Sequence, residues 1–153
     1  MSKPDTVNGA VNHPTIPGRF DYLFRVSLNA VIFNDEGKVL VVKEDNRDFW
    51  DVPGGGIDHG ESIKDALARE LYEEVSLGGN FTYEVLTVDD PGRLISRDIQ
   101  QMRIAFLVKP DSMNFKSGDD GDEIAFTDPL NFKDSELAVE RKIYEYSMLA
   151  IKK

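Results

Sequence analysis

Residues 55–77, GGIDHGESIKDALARELYEEVSL, pass from a glycine-rich lead into a run with helical periodicity. Ser62 stands before Ile63, and Asp65 follows three residues later, a near match to a capping box in which the hydroxyl accepts a backbone N–H of the first turn. Gly78-Gly79 closes the run, so a helix is predicted from Ile63 to near Ser76. At about 100° per residue, Ile63, Ala66, Leu67, Leu71 and Val75 share one stripe, the expected buried face. Glu70 and Glu74 fall inside that arc and Glu73 on its flank, whereas Asp65 points the opposite way. An unpaired carboxylate costs several kcal/mol to bury, or takes up a proton, so acids in this pattern call for a positive partner. Two partners stay open. One is a hard divalent cation, which prefers oxygen ligands. The other is Arg69, which points near Glu73 but far from Glu74 and suits one acid better than three.

Upstream, FWDVPGGG (49–56) is an apolar stub read as ending in a loop, because Pro53 and three glycines are poorly tolerated in a helix or strand interior. FRVSLNAVIF (24–33) and KVLVVKE (38–44) read as strands joined by the turn Asn34-Asp35-Glu36-Gly37, which predicts a hairpin. Downstream, NFTYEVLTVDD (80–90), IQQMRIAFLVKP (99–110) and EIAFT (123–127) read as strands. Pro91-Gly92 reads as a turn, SGDDGDE (117–123) as an acidic loop and SELAVERKIYEYSMLAIKK (135–153) as a closing helix. Strands interleaved with two helices predict one layered α/β domain over residues 18–153. Residues 1–17 show no periodicity and read as a flexible N-terminal arm without the apolar segment of a secretory signal.

The chain of 153 residues has the length of one domain, and with no cysteine it has neither a disulfide nor a thiolate site. Its 18 Lys+Arg against 28 Asp+Glu give −10, which argues against binding a nucleic-acid polymer through its backbone. Residues 48–90 alone hold eleven acids and two bases, Lys64 and Arg69. No apolar run approaches the ~18 residues of a membrane span, so no membrane partner and a cytoplasmic location are expected. His13 and His59 are too far apart in sequence to suggest a zinc pair.

The stretch from Gly55 to Leu77 resembles the Nudix box: Gly55, Glu61, Arg69, Glu70, Leu71, Glu73, Glu74 and Leu77 match its fixed positions. Trp50 and Pro53-Gly54 resemble the family's usual lead-in, and Ser76 stands where the family has glycine. The resemblance implies an α/β/α sandwich with a mixed β-sheet. It also implies a pyrophosphohydrolase that cleaves a diphosphate linkage in a nucleoside diphosphate joined to another group, by attack of metal-activated water on phosphorus. Carried over by position, Glu70, Glu73 and Glu74 would be metal ligands and catalytic, with Mg²⁺, or Mn²⁺, as cofactor. Glu61 and Arg69 would be orienting residues. Gly54, Gly55 and Gly56 would shape the mouth of the site, or only make a tight turn.

Glu123, which opens a strand after an acidic loop, is a candidate additional ligand or base by the same resemblance. Arg25, Arg93 and Arg103 lie outside the acidic segment and are candidates for binding the substrate's phosphates, with ordinary surface charge as the plain alternative. Phe24, Trp50 and Phe106 are candidates for stacking on a base, or core residues. A non-catalytic nucleotide-binding module of the same fold is the competing function, and a homodimer is compatible with the resemblance.

Overall fold

The computed structural model describes residues 10–94, 99–119 and 121–153, without the side chains of residues 93, 94, 121 and 122. The elements follow in the order β1 (Ala10–Asn12), β2 (Phe20–Tyr22), β3 (Phe24–Val31), β4 (Val39–Glu44), β5 (Gly54–Gly56), α1 (Ile63–Val75), β6 (Phe81–Val88), β7 (Gly92–Leu94), β8 (Ile99–Pro110), β9 (Gly121–Thr127) and α2 (Ala138–Ile151). A 3-10 turn, Pro129–Phe132, precedes α2. The principal sheet runs β5-β3-β8-β6, with β7 also on β8. β3 pairs with β8 in parallel and with β5 antiparallel, so the sheet is mixed. A separate antiparallel ribbon joins β4 to β9.

The strands feed two cores because successive side chains leave opposite faces of a strand. Leu28, Ala30, Ile32, Leu40 and Phe106 pack with Leu67, Leu71 and Val75 of α1. Val31, Val39, Val41, Ala105 and Leu107 pack with Ile143, Tyr146 and Ala150 of α2. The result is the expected α/β/α sandwich, with one helix on each side. Among the described residues, no helix is long and apolar enough to cross a membrane.

Four expectations need correction. The hairpin between 24–33 and 38–44 closes only at its tip, through the Phe33–Val39 bridge. Both edges of β3 are already taken, by β5 and β8, so β4 leaves to pair with β9. The glycine run, read as a loop, is strand β5, with Gly54 opposite Asn29 and Gly56 opposite Ser27. Within the supposed arm, Ala10–Asn12 pairs with Phe20–Tyr22; residues 1–9 lie outside the described residues. Finally, α2 starts at Ala138 rather than Ser135, whose hydroxyl instead donates to Glu140 at 2.8 Å.

Candidate active site

The first helix forms as its sequence dictates. Ser62 Oγ accepts the Asp65 N–H at 3.0 Å, and Ala66, Leu67, Leu71 and Val75 are buried, while Ile63 at the helix start is exposed. Ser76 ends the helix in the left-handed region at φ 57°, its N–H reaching the carbonyls of Leu71 and Tyr72. The segment after Asn114 then seals the helix end. Lys116 N–H donates to Val75 O at 3.2 Å and Gly118 N–H to Glu74 O at 2.9 Å. A Cβ on Gly118 would collide with the Glu73 carbonyl, so only glycine permits this approach.

Glu70, Glu73 and Glu74 line one cleft together with Glu44, Asp45, Gly54, Gly55 and Asp119. Glu74 is 3% exposed. Its Oε2 accepts the Gly54 N–H at 3.2 Å. Burial, reinforced by the charges of Glu44, Glu70 and Asp51 and opposed by that hydrogen bond, pushes its carboxyl up to about 9. Glu70 lies under the strand before α1, where a Cβ on Gly55 would strike its carboxylate.

Arg69 braces the cleft from behind. Its Nε and Nη2 donate to the two oxygens of Glu61 at 2.8 and 2.7 Å, and Nη2 also donates to Gly56 O at 3.0 Å. Its Nη1 reaches Glu70 at 2.7 Å and Glu73 at 3.5 Å. With Asp58 Oδ2 at 3.6 Å from Nη2, Arg69 therefore meets four acids of this stretch, more than its helical direction suggested, because the loop carries Asp58 and Glu61 back to it. Glu74 is not among its partners in these contacts. Hydrogen bonds from Arg69 and from the Asp58 N–H hold the Glu61 carboxyl down at about 2.

The other candidates lie elsewhere. Glu123 is exposed, pairs with Lys43 in the β4–β9 ladder and falls on the Ala125 face, toward α2. It does not line the cleft. Arg103 is drawn into a buried cluster on the α2 side, bonded to Asn29 and Asp51, and is not a surface clamp for phosphate. Arg25 donates to Ile57 O at 3.0 Å and packs against Gly56, bracing the loop. The side chain of Arg93 lies outside the described residues. Phe106 is core at 1% exposed, Trp50 packs on the α2 cluster under Lys43, and Phe24 is exposed. The sequence reading missed Glu44. Alternation along β4 puts it on the face of Leu40, which packs on α1, and so at the cleft, but a lone acid at a strand end carries no signal of its own.

The NUDIX domain profile matches residues 23–145, which contain this cleft and both helices. The chain belongs to the Nudix family. Among relatives, it is 50% identical over 54 residues to an RNA pyrophosphohydrolase of Ruthia magnifica subsp. Calyptogena magnifica. That match covers 35% of this chain and only 30% of the relative's length. Among solved structures, a MutT protein from Methanosarcina mazei Go1 superposes with a TM-score of 0.68 at 23% identity, covering 85% of this chain and 96% of that one. An ADP-ribose pyrophosphatase from Streptococcus suis 89-1591 gives 0.65 at 21% identity, covering 85% and 91%. These structural likenesses establish the Nudix fold.

The donor set suits a hard cation: among the described residues, the side chains lining the cleft are carboxylates, with glycine backbone beside them. Among the described residues, no group of three His, Cys, Asp or Glu side chains is already gathered closely enough to hold a metal ion. Mg²⁺ needs no such cage, since it binds through one or two carboxylates and fills its remaining positions with water and substrate phosphate.

Proposed function

We propose that this Nudix protein hydrolyses the diphosphate linkage of a small nucleoside diphosphate derivative with the help of Mg²⁺ or Mn²⁺. The observation that carries the reading is Glu74: a carboxyl group 3% exposed, among Glu44, Glu70 and Asp51, with no cationic side chain bonded to it among the described residues. A buried acid surrounded by acids holds a proton or gives it up to a cation, and only a cation also meets the negative charge that a phosphate-bearing substrate brings.

Glu70, Glu73 and Glu74 would hold the cation, with Glu44 and Asp119 at the edge of the same cleft. The bound ion would neutralise phosphoryl oxygens and acidify water. The chain's own residues do the rest. Arg69 and Glu61 fix the spacing of Glu70 and Glu73, Gly54 and Gly55 let β5 approach α1, and one of the box carboxylates takes the proton of the attacking water. The products would be a nucleoside monophosphate and a phosphorylated remainder.

The net charge of −10 favours a small substrate over a polymer, although the relative named above is an RNA pyrophosphohydrolase. A panel of nucleoside diphosphate sugars, dinucleotides and 5′-triphosphorylated RNA, assayed for phosphate-bearing products with and without Mg²⁺, tests both. Turnover of the small compounds that needs Mg²⁺ is expected. Preferred turnover of the RNA would overturn the substrate reading, and nucleotide binding without any product would indicate a non-catalytic module.

A further inference from the structure

Arg103 is 19% exposed at its side chain, sits on the α2 side of the sheet and does not line the cleft. Its Nε donates to Asn29 Oδ1 at 3.0 Å, and its Nη2 donates to Asp51 Oδ1 and Oδ2 at 3.1 and 3.2 Å. Those two partners bracket one residue. Asn29 is the β3 residue directly opposite Gly54, and Asp51 lies three positions before Gly54.

Every step between Asp51 and Gly54 is then fixed by a named contact. The Asp51 backbone exchanges both hydrogen bonds with Val42, at 2.8 and 3.0 Å. Its carboxylate accepts the Val52 N–H at 2.8 Å, and Pro53 O accepts the Ala30 N–H at 2.8 Å. Gly54 N–H ends the series on Glu74 Oε2. A buried Arg–Asp pair is weak support for stability, because desolvation offsets most of the attraction. Its fork geometry, however, fixes two backbones relative to each other in a way that an apolar pair does not.

We propose that Arg103, Asp51 and Asn29 form a positioning clamp that sets the Gly54 N–H against Glu74, so that the α2 side of the sheet governs metal binding on the α1 side. The three residues act through Gly54 and are positioning residues. The inference rests on the reading of Glu74 as a metal-holding carboxylate.

The test is direct Mn²⁺ binding, by calorimetry or by the electron paramagnetic resonance of free Mn²⁺, on the whole chain without substrate, alongside thermal unfolding. Asp51→Asn is compared with Tyr146→Phe, which loses the hydrogen bond to Asp89 in the same buried layer but keeps its ring beside Arg103. Both variants should unfold earlier. Only Asp51→Asn should weaken Mn²⁺ binding, by roughly 10–100-fold, as outer-shell substitutions typically do. Folded Asp51→Asn with wild-type affinity overturns the clamp, as does an equal loss in Tyr146→Phe, which would mean general loosening. Arg103→Lys, which keeps every carboxylate and loses the fork, should weaken Mn²⁺ binding likewise; a loss in Asp51→Asn without one in Arg103→Lys would reflect only the missing negative charge near Glu74 and overturns the clamp. Wild-type protein that takes up no Mn²⁺ defeats the metal reading itself, and the clamp with it. Uptake by wild type and variants alike defeats the clamp alone.

Discussion

Glu74 Oε2 and the Gly54 N–H, 3.2 Å apart, join the Nudix helix to the strand that precedes it. Glutamine at position 74 keeps an oxygen for that N–H but loses the charge. Glu74→Gln is expected to lower turnover by roughly 10²–10⁴, the span associated with general acid–base groups. It should leave the fold intact and raise the melting temperature at pH 8 by removing a buried acid. Product release and thermal melts check both, and a variant that turns over normally would remove Glu74 from the chemistry.

Glu74 and Glu61 set opposite slopes of stability against pH. Glu61, lowered from 4.5 to about 2, stabilises the fold above pH 4.5, and that contribution is lost as pH falls through 2. Glu74, raised from 4.5 to about 9, keeps in the fold a proton that the unfolded chain releases. Its contribution is complete below pH 4.5 and is lost as pH rises through 9. Melting temperature in the absence of divalent ions should therefore decline between pH 5 and pH 9, and the decline should vanish in Glu74→Gln. Because a cation favours ionised Glu74, Mn²⁺ affinity should climb across the same window with release of about one proton per ion, measurable by calorimetry in buffers of different ionisation enthalpy.

Arg69→Lys keeps a charge but supplies one point where the guanidinium contacts Glu61, Glu70 and Gly56 at once. The expected outcome is a melting temperature lower by several degrees, with weaker Mn²⁺ binding as Glu70 and Glu73 lose their spacing. An unchanged melt and an unchanged binding isotherm would show that Arg69 holds nothing in place.

Ser76 occupies a left-handed backbone position at φ 57°, where a side chain costs about 1 kcal/mol. Among the described residues, its Oγ makes one long contact, 3.4 Å to Ser117 O. Ser76→Gly should raise the melting temperature by about 2–4 °C for a domain of this size and leave Mn²⁺ affinity as it is. A destabilised variant would mean that the serine hydroxyl matters more than the backbone strain.

What could be read from the chain beforehand was local. Ser62, Asp65 and the 3.6-residue period define α1 within one stretch of sequence, and the same period turns Glu74 inward. What could not be read depends on partners distant in sequence. Glu44 gains its place only when the Leu40 face of β4 is packed on α1, and Glu123 lies on the opposite face, paired with Lys43. Arg103 looks like any strand arginine until Asn29 and Asp51, 74 and 52 positions away, are brought beside it. The three glycines suggested a loop. Their reason is instead steric, since side chains there would strike Leu28 O, the Glu70 carboxylate and the Arg25 guanidinium.

The segment that seals the end of α1 also carries Asp119 to the rim of the cleft. Lengthening or shortening the chain between Asn114 and Gly118 would unplug Glu74 O and Val75 O from their donors and fray the last turn, which bears two of the three box acids. Ordinary surface connections drift freely in length over evolution; this one is pinned by Lys116 and Gly118, and descendants of this chain should keep its span and its glycine while other letters change.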